Sequence, residues 1–134
     1  MKLRPADAYF ALWLHIARQR NGQDDAAELH DNAGRLDQMK WPWPVVSLLL
    51  GSTDANTVRA AAATAADEPT RRGQGCEADF YLGVHAAENG ARQDARRLLA
   101  AAVATCPHDF AEWSAAGLEL KLFDAASASE ENQR

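Results

Sequence analysis

Two cysteines are the residues of this 134-residue chain with the clearest capacity for covalent chemistry. Cys76 begins one predicted helix, and Cys106 ends the next one about 30 residues later. In an antiparallel helix pair those two termini lie at the same end, so a disulfide is geometrically plausible. Closing a loop of that length would stabilise the fold by roughly 3 to 4 kcal/mol. Two alternatives stay open: two separate buried thiols, or a metal site that also uses His108.

No recognisable catalytic or metal-binding set is present in the sequence. No spacing supplies the four ligands of a structural zinc ion. No serine has a nucleophile-elbow context, and we find no paired acid, phosphate-binding loop or HExxH motif. We therefore expect a protein that is not an enzyme and that uses no cofactor and no metal. The histidines are spread over different predicted elements, and each is expected at the surface or at the edge of the core: His15, His30, His85 and His108.

The tryptophans are the candidate binding residues. We interpret all four as packing residues of the core and of the contacts between hairpins: Trp13, Trp41, Trp43 and Trp113. The functional alternative is that Trp41 or Trp43 stays partly exposed and anchors a protein partner, since aromatic side chains often anchor interfaces.

Net charge and hydropathy exclude several classes of partner. The net charge of −5 argues against nucleic acid, which requires a clustered basic face. The run Arg92, Arg96 and Arg97 is too short to change that and is predicted to be a solvated helix face. No segment approaches the roughly 18 apolar residues of a membrane span. Asp7 and His15 interrupt the apolar start, so we predict a mature helix there and no signal peptide.

A predicted helical hairpin over residues 76–107 positions the two cysteines. In its first helix Phe80, Val84 and Ala87 recur at the i, i+4, i+7 spacing of one helix face. Its second helix presents a matching stripe of small and apolar residues: Ala95, Leu98, Leu99, Ala102 and Val103.

Small residues and turn residues define the close contact, the bend and the end of this predicted hairpin. Gly83 and Ala95 allow the two backbones to approach closely, Asn89-Gly90 supplies a left-handed turn, and Pro107 cannot continue the second helix. The pattern resembles the tetratricopeptide repeat (TPR), and the residues that follow it are Leu82, Gly83, Gly90, Ala95, Leu99, Ala102 and Pro107.

Further helical segments precede and follow the hairpin. Residues 5–37 are predicted to form a first hairpin, with Pro5 in the first turn, Asn21-Gly22 at the bend and a second helix from about Asp24 to Asp37. A middle hairpin is predicted next, with helices from about Pro44 to Leu50 and from about Asp54 to Ala66. A polar loop follows over residues 67–75. After the hairpin over residues 76–107, the sequence predicts a last helix capped by Asp109 and reaching about Phe123, and then a disordered polar tail over 124–134.

The first hairpin and the hairpin over residues 76–107 repeat at a fixed interval. Their Asn-Gly turns lie 68 residues apart, which is twice the TPR period of about 34 residues. The sequence therefore predicts an all-α fold: one domain over residues 1–123, built as a TPR-like right-handed superhelix of about three antiparallel hairpins plus a C-terminal capping helix.

Several short motifs, in order and with matching spacing over roughly residues 5–122, resemble the C-terminal half of the NlpI family of bacterial TPR lipoproteins. The motifs are Pro5-Ala6-Asp7-Ala8-Tyr9, Leu12-Trp13-Leu14, Trp41-x-Trp43 with Val46, Leu50-Gly51, Phe80-Tyr81-Leu82-Gly83, Phe110-x-Glu112 and Glu119-Leu120. The resemblance implies an all-helical adaptor of the bacterial envelope that docks peptidoglycan hydrolases or a periplasmic protease through its helix surfaces.

From these features we predict a non-enzymatic protein-binding scaffold of the periplasm or cell envelope, with no nucleic-acid partner and no membrane insertion of this chain. The disulfide supports that location, since it requires an oxidising compartment. The alternative is a small cytoplasmic partner, such as a secretion chaperone or a toxin-immunity protein, which the acidic balance and the missing export signal favour.

Overall fold

The computed structural model describes residues 7–133, and every regular element in that range is an α-helix. Across this part of the chain the helices are α1 Ala8–Arg20, α2 Ala26–Ala33, α3 Trp43–Leu49, α4 Ala55–Ala62, α5 Glu68–Glu88, α6 Arg92–Thr105 and α7 Ala111–Asn132. The predicted all-α class is confirmed. Pro5, which the sequence places in the first turn of α1, lies outside the described residues.

The chain divides into two compact units, one ending at Thr64 and the other beginning at Ala65. In the first unit α1 packs against α2 and α3, and α3 packs against α4. Apolar side chains from all four helices form its core, among them Leu12, Leu29, Val45, Val46 and Val58. The single domain and the superhelix that the sequence predicts stay predictions.

The turns of the first unit follow the predicted signals. Gly22 has a φ of +68° at the bend between α1 and α2, and Gly51 has a φ of +80° directly after α3. The Asp54 carboxylate accepts the backbone N–H of Thr57 and so caps α4.

Two helices of the first unit are shorter than predicted. The second helix ends at Ala33, before Gly34, and Asp37 instead accepts a hydrogen bond from the backbone of Met39 in the following turn. The fourth helix ends at Ala62, where the hydroxyl of Thr64 donates to a backbone carbonyl. Short polar side chains that bond to nearby backbone compete with helix continuation, and the periodicity of apolar residues does not report this competition.

The second unit consists of α5, α6 and α7, which all contact one another. Its core contains large side chains from α5 and smaller ones from α6: Phe80, Tyr81, Leu82, Ala95, Leu99 and Ala102. A disulfide joins Cys76 to Cys106, with their Cα atoms 5.0 Å apart. Both cysteines are buried, so the link lies inside the packed surface between α5 and α6.

Gly83 lies at a close approach of α5 to α6. A Cβ atom at this position would lie 3.1 Å from Leu99 Cγ and 3.2 Å from Leu98 Cβ, so a larger residue would require these two leucines to shift. The two helices are connected through Gly90, whose φ of +77° is a left-handed conformation that favours glycine. Pro107 follows directly after the C-cap of α6.

Residues 68–75 are helical, so the predicted polar loop is wrong. Asp67 caps the helix by accepting the backbone N–H of Thr70, and Pro69 occupies the first turn, where a missing N–H is tolerated. Gly73 lies against the ring of Phe110, with 3.1 Å between its hypothetical Cβ and the ring. The two glycines that suggest a loop are therefore helix-interior residues, and Cys76 lies two turns inside α5.

The last helix differs from its prediction at both ends. Phe110, rather than Asp109, is the N-cap, and no side chain caps the helix. The helix also continues past Phe123 to Asn132, so residues 124–132, predicted as a disordered tail, are its final turns. Alanine favours helix in this segment.

Two arginines of α6 support the extended end of α7. Arg96 Nε lies 3.0 Å from a carboxylate oxygen of Asp124, and Arg92 donates to the Ser127 hydroxyl over 2.8 Å. The predicted solvated arginine face is therefore, for these two residues, a contact between helices. No helix within residues 7–133 combines the length and apolar character needed to cross a membrane.

Candidate functional site

The candidate site is a surface cavity of about 180 Å³ in the first unit. It lies between the start of α1 and the segment that leads into α3, and we call it the Trp41 cavity. Its described lining consists of Asp7, Ala8, Tyr9, Leu36, Asp37, Lys40, Trp41 and Pro42. Trp41, one of the two predicted binding tryptophans, thus lies on the wall of a cavity, while Trp43 is the first residue of α3 and is half-buried outside it.

Local hydrogen bonds hold both walls of the Trp41 cavity. On the α1 side, the Asp7 carboxylate accepts the backbone N–H of Tyr9 over 2.8 Å and fixes the first turn of the helix. On the other side, Asp37 accepts the backbone N–H of Met39 over 2.9 Å. Pro42 is buried. These contacts lie within short stretches of chain, so they fix the local backbone of each wall.

The charges at the cavity are exposed and weakly paired. Lys40 Nζ lies 3.9 Å from Asp37 Oδ2, at the limit of an ion pair, and both side chains are exposed. Exposed pairs of this kind contribute about 0 to 1 kcal/mol, so an incoming charged group can displace the lysine. Beside them, Met39 is 92% exposed. A flexible thioether in that position suits adaptable contacts with a protein surface.

The size and chemistry of the cavity favour a single protein side chain over a substrate. Pockets that hold drug-sized ligands or cofactors enclose at least about 300 Å³. The described lining also contains no histidine, cysteine or serine that could act as a nucleophile or base. An aromatic wall with a few polar groups is instead typical of a pocket that receives an anchor residue at an interface.

Polar groups elsewhere in the first unit are structural. His15 is 6% exposed, so its expected place at the surface or core edge is wrong. Its Nδ1 lies 2.7 Å from Asp25 Oδ2, and Gln19 donates to the other oxygen of Asp25 over 2.9 Å. This network joins α1 to the start of α2. His15 follows Leu12 at i+3, and that spacing was the available signal that it faces the core.

In the second unit, Tyr81 and Glu112 form a polar contact that sequence reasoning missed. The Tyr81 hydroxyl donates to Glu112 Oε2 over 2.8 Å, and both side chains are buried. Since α5 carries the tyrosine and α7 the glutamate, the bond fixes the position of one helix on the other. No spacing rule links residues of two separate helices, so the sequence offered no signal for this pair.

The alternative metal site at His108 has no support in the geometry. Its ring stacks on Trp113 with the ring centroids 4.1 Å apart, and both cysteines are consumed by the disulfide. Over residues 7–133 no group of three or more histidine, cysteine or acidic side chains could hold a metal ion.

The predicted packing residues lie along the contact between α5 and α6. Leu82, Ala95, Leu99 and Ala102 are buried there, and Gly83 lies against Leu98 and Leu99. The hairpin therefore has the close helix packing that its small residues predict. No model of a known protein family matches the chain.

Proposed function

We propose that this protein is a non-enzymatic, TPR-like scaffold of the bacterial cell envelope that docks a protein partner on its helix surfaces. The observation that carries the proposal is the Trp41 cavity beside the exposed Met39. A cavity too small for a cofactor, with an aromatic wall and an apolar neighbour, is suited to an anchor side chain from another protein.

Two further observations support the family and the compartment. The α5–α6 hairpin combines the glycine turn at Gly90 with the close approach at Gly83, as expected of a TPR unit. The Cys76–Cys106 disulfide favours an oxidising compartment such as the periplasm. Peptidoglycan hydrolases or a periplasmic protease are the partners that the NlpI-like resemblance implies.

Site-specific photo-crosslinking in the native cells tests the proposal. A photoreactive amino acid replaces Met39, which borders the cavity. The matched control carries it at Ala60, an exposed residue of α4 that does not line the cavity. We expect a discrete crosslinked product from position 39 that contains an envelope protein, and no such product from position 60. The same products from both positions, or none from position 39, would contradict the proposal.

The net charge of −5 favours a second candidate, a cytoplasmic partner such as a secretion chaperone or an immunity protein that binds a basic toxin. Crosslinking from position 39 to a cytoplasmic protein would support this candidate. It also predicts free thiols at Cys76 and Cys106 in the cell.

A further inference from the structure

The Trp41 cavity contains the groups that bind one planar cation. Its described lining includes two aromatic residues, Tyr9 and Trp41, and two carboxylates, Asp7 and Asp37, against one ammonium group. Aromatic faces attract cations, and carboxylates accept hydrogen bonds from them. The charges of the described lining and the acidic whole chain therefore favour a positively charged occupant.

Each of the two carboxylates accepts a backbone hydrogen bond through only one of its two oxygens. Asp7 and Asp37 each use one oxygen, Oδ1, to accept a backbone N–H, which fixes the orientation of the carboxylate. The second oxygen of Asp37 meets only the distant Lys40 ammonium, at 3.9 Å. A stronger donor can replace that contact at little cost, because both side chains are exposed.

Among cationic side chains, the guanidinium of arginine matches these groups best. It is planar, it stacks on aromatic rings, and it presents a fork of donors to a carboxylate. Lysine offers a compact, strongly hydrated charge that uses the aromatic wall less well. A cavity of about 180 Å³ is also below the size of a small-molecule site and is consistent with one side chain.

We propose that the Trp41 cavity binds the side chain of an arginine residue on the partner protein. The inference rests on the proposed function, since it names the residue that the partner inserts. It also assigns opposite roles to two neighbouring residues: Asp37 attracts the guanidinium, and Lys40 competes with it.

A titration of the full chain with a minimal probe tests the pocket directly. The probe is N-acetyl-arginine amide, and the matched ligand is N-acetyl-citrulline amide, which has nearly the same shape without the charge. The signal is the indole N–H of Trp41 in the ¹H–¹⁵N spectrum, assigned with Trp41→Phe. We expect saturable, millimolar binding of the arginine amide and about tenfold weaker binding of the citrulline amide.

Two substitutions in the cavity should move the affinity in opposite directions. Asp37→Asn keeps the acceptor for the Met39 backbone and should weaken arginine binding about two- to fivefold. Lys40→Gln removes the competing ammonium and should strengthen binding about twofold. Asp31→Asn, at an exposed site on α2 outside the cavity, is the control and should change nothing.

Equal binding of the two amides, or weaker binding in Lys40→Gln, would overturn the inference. These results also separate it from the proposed function. If Met39 crosslinks an envelope protein while the arginine amide binds no better than the citrulline amide, the arginine pocket is wrong and the scaffold stands. If the arginine amide binds selectively but no partner is crosslinked, the pocket stands and the scaffold is wrong.

Discussion

The hydroxyl of Tyr81 donates to the carboxylate of Glu112 at a position where almost no solvent reaches either side chain. In the first unit, His15 and Asp25 form a comparable buried contact. A buried polar group without a partner is destabilising, so such pairs favour one arrangement of their helices over others. In each unit, one polar contact therefore specifies how two helices meet.

Tyr81→Phe should destabilise the protein by about 1.5 to 3 kcal/mol, because it leaves a buried carboxylate without its donor. Urea unfolding followed by circular dichroism measures the loss. Tyr81→Phe made in a Glu112→Gln background should cause a smaller loss of unfolding free energy, since the two residues act as a pair. Equal effects in both backgrounds would show that the hydrogen bond does not couple α5 to α7.

At the scale of single helices, capping residues decide where α5 begins. The sequence Asp67-Glu68-Pro69-Thr70 is a helix start, with an N-cap, an acidic first turn and a proline where its missing N–H is harmless. The two glycines at 73 and 75 suggested a loop instead. The capping residues therefore indicated a helix, whereas the glycines indicated a loop. The packing of Gly73 on Phe110 favours the helix, and no local sequence pattern contains that contact.

The acid dependence of stability tests the cap. The hydroxyl and then the backbone N–H of Thr70 lower the pKa of Asp67 from its ordinary value. A lowered folded-state pKa means that the cap stabilises the fold above the unfolded pKa, about 4, and that this stability is lost as pH falls through the folded pKa. Asp67→Ala should therefore lower the urea midpoint at neutral pH, and the difference from wild type should shrink in strong acid.

Asp109 provides the control for this prediction. It was the predicted N-cap of α7, but no side chain caps that helix. Asp109→Ala should therefore leave the urea midpoint at neutral pH close to that of the wild type. A difference between wild type and Asp67→Ala that stays constant from neutral to strongly acid pH would contradict the role of the Asp67 cap.

The packing of α5 on α6 is tested by one substitution at two glycines of the same helix. Gly83→Ala places a methyl group 3.1 Å from the buried Leu99 and should destabilise by about 1 to 3 kcal/mol. Gly75→Ala meets no atom within 4 Å and should stabilise by about 0.5 to 1 kcal/mol through helix propensity. Urea unfolding of both variants gives the comparison, and a stabilising Gly83→Ala would refute the close approach.

For the whole molecule, periodicity predicted that the regular elements are helices, and turn glycines predicted where two hairpins bend. The Trp41 cavity was not predictable in the same way. Trp41 was a candidate anchor, but the cavity depends on how Tyr9 and Leu36, which are far apart in sequence, come to share a wall with it. The contacts between the extended end of α7 and two arginines of α6, which lie 28 and 35 residues earlier than their partners, were likewise absent from any local pattern.

The disulfide connects the fold to the proposed location of the protein. A link that closes a loop of 30 residues should contribute roughly 3 to 4 kcal/mol to stability, but only where the compartment keeps it oxidised. An envelope scaffold would carry this link in the cell. A cytoplasmic partner would carry two thiols.

The most direct test is the redox state of Cys76 and Cys106 in protein taken from its native cells. Free thiols are trapped by alkylation at the moment of lysis, and the peptides are analysed by mass spectrometry before and after reduction. The envelope scaffold predicts a linked pair that becomes alkylated only after reduction. Two thiols alkylated before reduction would contradict it and would favour the cytoplasmic partner.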